Sequence, residues 1–170
     1  SLIEGCGLRC GYLGTVGNDV GKGRLPAKQT TPESLDLQSM WAEMRENGCR
    51  AASMEVSSHA LEQGRTEGVN FTGAVFTNLG RDHLDYHETM SSYESAKGKL
   101  FEGLEEGSFA VIHQEDPAGV RMVARCRPGV RLMTYGVDRG DVHTKNLKMG
   151  MGGSSFVLCS PEGEVPATLP

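Results

Sequence analysis

The chain has 170 residues and 18.3 kDa, long enough for one domain with a real core, and its net charge of −5 comes with scattered basic residues. These figures exclude collagen, whose glycines recur every third residue, argue against disorder, and disfavour a nucleic-acid or anionic-membrane partner. Five cysteines without a C-x-x-C pair read as reduced thiols, and no apolar stretch approaches the roughly 20 residues of a membrane span, so a soluble cytoplasmic chain is expected.

In chain order, SLIEGCG (1–7) reads as the tail of a helix stopped by glycine, GYLGTVG (11–17) as a short apolar run, and 17–29 as a turn or open hairpin. A helix is then expected with Thr31 as N-cap and Pro32 at its first position. Leu37, Met40, Trp41 and Met44 give its apolar stripe, and Gly48 stops it. RAASMEV (50–56) predicts a strand, SSHALEQG (57–64) a short helix, and GAVFTN (73–78) a buried strand. Residues 83–87 are expected to form an ordered loop. A helix over about 90–104 precedes strand FAVIH, a helix near 117–126 and strand VRLMTYG (130–136). From about 141 short β segments follow, with Ser160-Pro161-Glu162-Gly163 as a turn. The class is α/β, a mostly parallel sheet flanked by helices over about 1–140, with a β-rich C-terminal edge over about 141–170.

Ligands of open parallel sheets bind beyond the carboxyl ends of the strands. Two such ends carry polar clusters: Glu55, Ser57, Ser58 and His59 after one, Asn78, Arg81, Asp82, His83, Asp85 and His87 after the other. Glu55 with His83 would suit Mg²⁺, against the alternative that backbone amides and solvent satisfy each separately. A Zn²⁺ or Fe²⁺ site of His83 and His87 with Asp82 or Asp85 needs 83–87 to be helical. His59 and His113 read as ordinary solvent-facing or packed histidines. Lys97 falls in the middle of the apolar face formed by Tyr93, Leu100, Phe101 and Leu104. It either snorkels or faces a polar cleft where it is paired or modified. Gly17-Asn-Asp-Val-Gly21-Lys22-Gly23 is no Walker A loop: it is one residue short between glycines and lacks the Ser or Thr.

The segments TTPESLDLQ (30–38), MEVSSHALEQGR (54–65), VFTNLGRDHLDYH (75–87) and YESAKGKLF (93–101), in this order, resemble the central domain of the Mur ligases. Among them, TTP with MEVSSHALEQGR favours members that add a diamino acid, L-lysine or meso-diaminopimelate, to UDP-MurNAc-L-Ala-D-Glu. The resemblance implies an ATP-dependent, amide-forming enzyme of peptidoglycan synthesis that works through an acyl phosphate with Mg²⁺. It implies Glu55 and His83 as Mg²⁺ ligands and Lys97 as a carbamylated lysine able to hold a second Mg²⁺. It also implies Thr30, Thr31, Ser57, Gln63 and Arg65 as contacts of the UDP-sugar peptide. His113 stands where family members commonly show Asn.

In the family a Gly-rich phosphate loop precedes the helix whose tail SLIEGCG resembles. The chain, 1–170, is therefore expected to be part of a central domain, without that P-loop and without the N-terminal uridine-holding and C-terminal domains. Alone it is expected to be inactive and, with a sheet edge or gap exposed, to be less stable than the full domain or to self-associate. Two other readings remain: a metal-dependent hydrolase using His83, His87, Asp82 and Asp85, and a non-catalytic module that binds the UDP-MurNAc-peptide.

Overall fold

The computed structural model describes residues 5–170; residues 1–4 of the expected N-terminal helix tail lie outside the described residues. The chain divides into two compact units, residues 1–69 and 70–170.

The first unit opens with β1 (Cys10–Gly14), β2 (Gly17–Asp19) and β3 (Arg24–Leu25), an antiparallel run that fills the expected open hairpin. Helix α1 (Ser34–Glu46) leads into β4 (Ala51–Met54), and α2 (Ser58–Glu62) follows. The sheet order is β3-β2-β1-β4, with β4 parallel to β1 and Leu13 opposite Met54. Leu37 and Met44 of α1 are buried against Leu13 and Val20, and Met40 and Trp41 pack at the margin, as the helical spacing predicts. Gly48, at φ +78°, takes the left-handed conformation that ends α1 and that a Cβ disfavours.

The start of α1 differs from expectation. Glu33, not Thr31, is the N-cap residue, with extended backbone (φ −63°, ψ 156°). Thr31 is drawn elsewhere: its hydroxyl donates to the Glu55 carbonyl (2.8 Å) and accepts the Ser57 N–H (2.9 Å). The helix therefore begins only at Ser34.

In the second unit, β5 (Gly73–Phe76), β6 (Phe109–His113) and β7 (Arg131–Tyr135) form an all-parallel sheet in that order. Helices α3 (Leu84–His87) and α4 (Met90–Glu102) lie between β5 and β6, and α5 (Gly119–Arg125) between β6 and β7. Strand alternation sends Ala74, Phe76, Ala110 and Ile112 into one core with Phe101, Leu104 and Met122. Phe76 and Phe101 meet edge to face at 6.2 Å. Residues 84–87 form a single helical turn where a loop was expected. His83 adopts the left-handed conformation (φ 58°, ψ 23°), its N–H donates to the Asp82 carboxylate (2.7 Å), and its carbonyl accepts the N–H groups of Tyr86 and His87. The C-terminal residues form an antiparallel meander, β8 (His143–Gly150), β9 (Gly153–Ser160) and β10 (Gly163–Leu169), with the expected turn at Pro161-Glu162. No described helix is long and apolar enough to cross a membrane, and all five cysteines are free.

Candidate functional site

In the first unit the site is built where β1 and β4 end side by side. The parallel register continues past β4, so the Glu55 N–H donates to the Leu13 carbonyl (2.8 Å), and the Glu55 side chain lies beside the turn after β1. The Tyr12 hydroxyl donates to Glu55 Oε1, and the Thr15 hydroxyl donates to Oε2 at 2.7 Å. The Thr15 N–H reaches the same oxygen at 3.3 Å. These donors, Tyr12 first and then Thr15, hold the Glu55 carboxyl below the usual carboxylate range. In return, the bond to Glu55 raises the Tyr12 phenol. A Cβ on Gly14 would lie 2.5 Å from Glu55 Oε1, so a side chain there would push the Tyr12–Glu55 pair out of place.

The expected substrate contacts gather around this carboxylate. Thr30 Oγ1 lies 3.0 Å from Thr15 Oγ1. Ser57 caps α2 by accepting the Ala60 N–H (3.2 Å), so Thr31 and Ser57 are both engaged in shaping the strand end. Arg65 is held rigidly. Its Nε donates to Gln63 (2.8 Å), Nη1 donates to the Gln29 side chain and the Thr31 carbonyl (both 3.1 Å), and Nη2 pairs with Glu33 at 3.1 Å. Glu55, Thr30, Thr31, Ser57, Gln63 and Arg65 thus belong to one hydrogen-bonded neighbourhood.

His83 and Lys97 belong to the second unit, where both are brought to Tyr93. The His83 ring meets Tyr93 edge-on at 5.7 Å, and the Lys97 Nζ lies over the Tyr93 ring at 5.2 Å. Burial pushes the Lys97 ammonium down, against an opposing pull from the Asp116 carboxylate. Asp116 itself accepts the Leu79 N–H (2.8 Å) and the Ala118 N–H (2.8 Å), tying the end of β5 to the start of α5. His87, expected as a zinc or iron ligand in the competing reading, is 5% exposed and stacked on Tyr93 at 5.2 Å. His113 is packed, stacked on Tyr135 at 5.1 Å, with Nδ1 2.8 Å from the Thr77 carbonyl.

In the first unit, the ionised carboxylate of Glu55 is the kind of oxygen donor that a hard divalent cation takes. Among the described residues no three His, Cys, Asp or Glu side chains converge as a metal centre, which removes support from the His83–His87–Asp82 zinc or iron site. The residues that sequence reading missed are Tyr12 and Thr15, which orient Glu55; Tyr93 and His87 it placed elsewhere, on the apolar face and in the competing metal site, whereas Tyr93 meets His83 and Lys97 and His87 stacks on Tyr93. No local signal marks Tyr12, because its role follows from β1–β4 pairing across a long connection.

The Mur ligase middle domain family matches residues 2–170. The UDP-N-acetylmuramoyl-L-alanyl-D-glutamate--2,6-diaminopimelate ligase of Geobacillus thermodenitrificans is 43% identical over 164 residues, which cover 92% of this chain and 33% of that protein. The enzyme of the same name from Chlorobium phaeobacteroides is 44% identical over 172 residues, 96% of this chain and 34% of that protein. A solved structure of a ligase of this name superposes with a TM-score of 0.83 at 34% identity, covering 98% of this chain and 34% of that one. A MurF ligase from Thermotoga maritima in complex with ADP shares the fold, with a TM-score of 0.61 at 16% identity, over 81% of this chain and 33% of that one. The chain spans about a third of the length of the curated relatives it matches.

Proposed function

The chain belongs to the Mur ligase family, and from that premise we propose that it supplies the middle-domain part of an ATP-dependent ligase in peptidoglycan precursor synthesis. The enzyme joins a diamino acid to UDP-MurNAc-L-Ala-D-Glu in the cytoplasm, and the relatives' name favours 2,6-diaminopimelate over L-lysine. The observation that carries this reading is the ionised, doubly held Glu55 at a strand end, flanked by Thr30, Thr31 and Arg65.

In the proposed reaction the substrate carboxylate takes the γ-phosphoryl group of ATP and releases ADP. The amine of the diamino acid then attacks the acyl carbon, and phosphate leaves. Magnesium, when bound, would supply charge neutralisation for the phosphoryl oxygens. In the first unit Glu55, and in the second His83 and a carbamate on Lys97, are each proposed as residues that would hold it. Tyr12 and Thr15 keep Glu55 deprotonated and oriented, so no reorganisation is needed when positive charge arrives. Arg65, fixed by Gln63, Gln29 and Glu33, presents its guanidinium to the UDP-sugar peptide, and the Thr30 hydroxyl adds a neutral contact. The hydrolase alternative loses its support where His87 is buried against Tyr93.

Calorimetric titration of the chain with UDP-MurNAc-L-Ala-D-Glu tests the reading. Arg65→Ala is expected to weaken binding at least about tenfold, the scale of a lost charge-assisted hydrogen bond. The chain alone is expected to release no phosphate from ATP with both substrates present. Equal binding by Arg65→Ala would remove the substrate assignment, and phosphate release would refute the part-domain reading.

A further inference from the structure

Tyr93 is a point of convergence in the second unit. Its ring is 5% exposed, in the first turns of α4, which Thr89 caps by accepting the Ser92 N–H at 3.1 Å. Three groups from two helices and the residue before α3 use that one ring. His87 stacks on it at 5.2 Å with an interplanar angle of 22°. His83 meets it at 84°, and the Lys97 ammonium, one turn along α4, lies over it at 5.2 Å. Tyr86 in turn meets His87 edge-on at 4.9 Å, so the stack is backed by a further ring.

We propose that Tyr93 is a positioning residue: its ring, clamped by buried His87, sets the places of the His83 imidazole and the Lys97 side-chain nitrogen together. This rests on the reading of His83 and Lys97 as the groups that serve magnesium, and goes beyond it by assigning what holds them. The physical reason lies in the two side chains. Lys97 has four rotatable bonds and His83 sits on a left-handed backbone position that only its surroundings maintain. The ring face is a flat wall against which the end of the Lys97 side chain loses rotamers, and its edge gives the imidazole a defined angle. One rigid ring therefore removes freedom from both groups at once, and a change that moves the ring moves both. The contribution belongs to the ring and not to the hydroxyl, which makes phenylalanine an adequate replacement.

The test uses the chain with Mn²⁺ alone as probe, followed by electron paramagnetic resonance, and ¹³C-bicarbonate, which gives a lysine carbamate its own carbonyl resonance. His83→Ala and Lys97→Arg come first. If neither weakens Mn²⁺ binding nor removes a carbamate resonance, the functional reading of those residues fails and the proposal falls with it. Where they do, Tyr93→Phe is expected to leave both signals within about twofold, while Tyr93→Leu weakens Mn²⁺ about tenfold and lowers carbamate occupancy, as loss of a residue orienting metal ligands does. His87→Leu, which keeps the ring and removes the clamp, is expected to shift both signals in the same direction. Folded Tyr93→Leu or His87→Leu chains with unchanged Mn²⁺ affinity and carbamate overturn the proposal. So does a loss in Tyr93→Phe as large as that in Tyr93→Leu. One measurement needs no substitution: the Lys97 ε-methylene protons are expected upfield of their unstructured shift through the Tyr93 ring current, and an unshifted resonance overturns the proposal.

Discussion

Thr31 shows how much one hydroxyl decides. It is 1% exposed, donates to the Glu55 carbonyl and accepts from Ser57, so it stitches the start of α1 to the end of β4. Thr31→Val keeps the shape and leaves a part-buried N–H and carbonyl without this partner; a loss of about 1–3 kcal/mol is expected, read by urea unfolding. Glu115 and Asp141, like Glu55, carry a pH signature. Glu115 is held below the usual range by the N–H groups of Asp138, Val137 and Arg139, and Asp141 by the Thr134 N–H and hydroxyl. A group whose folded pKa is depressed adds stability that is complete above its unfolded pKa and is lost as the pH falls through the folded one. Urea midpoints are therefore expected to drop as the pH falls below the ordinary carboxylate range. Glu115→Gln with Asp141→Asn flattens that part of the profile.

Among the elements, α5 is closely constrained by its neighbour β6. A Cβ on Gly119 would lie 2.4 Å from the His113 carbonyl oxygen, at the end of β6. Glycine to alanine in a helix ordinarily stabilises, by roughly 0.5–1 kcal/mol. Here Gly119→Ala is expected to destabilise by about 1–3 kcal/mol because backbone must shift, a reversal of sign that thermal melts would show. Met122 of the same helix is fully buried in the second unit's core, and Met122→Ala is expected to cost about 2–5 kcal/mol in the same assay. These elements were largely legible from sequence, because α1, α4 and β6 have periodic apolar faces that local physics reads directly. Two places were not. The start of α1 was misplaced because the Thr31 hydroxyl is engaged by a strand far along the chain, and local capping rules do not see that competition. The turn at 84–87 was read as loop because the helix begins from a left-handed His83, a conformation with no signature in residue type. The candidate residues divide in the same way: motif and position single out Glu55, His83 and Lys97 as candidates, whereas Tyr12, Thr15 and Tyr93 make contacts that exist only once each unit has formed.

Across the whole molecule, β5 ends its sheet with Val75 57% exposed, and the two core clusters lie in different units. An apolar terminal strand favours pairing with a second copy, so sedimentation is expected to depend on concentration, and Val75→Lys to suppress that dependence. The way the strands are joined has a further consequence, in time. In the meander β8–β10, Gly150 pairs with Gly153 and Ser160 with Gly163, so each closure spans a two-residue turn. In the first sheet Cys10 pairs with Ala51, and closing a loop of about 40 residues must precede any reward from that contact. The C-terminal hairpins are therefore expected to acquire amide protection first in pulsed hydrogen exchange. The β1–β4 seam, and with it the carboxylate that Tyr12 and Thr15 hold, is among the last parts of the chain to be made.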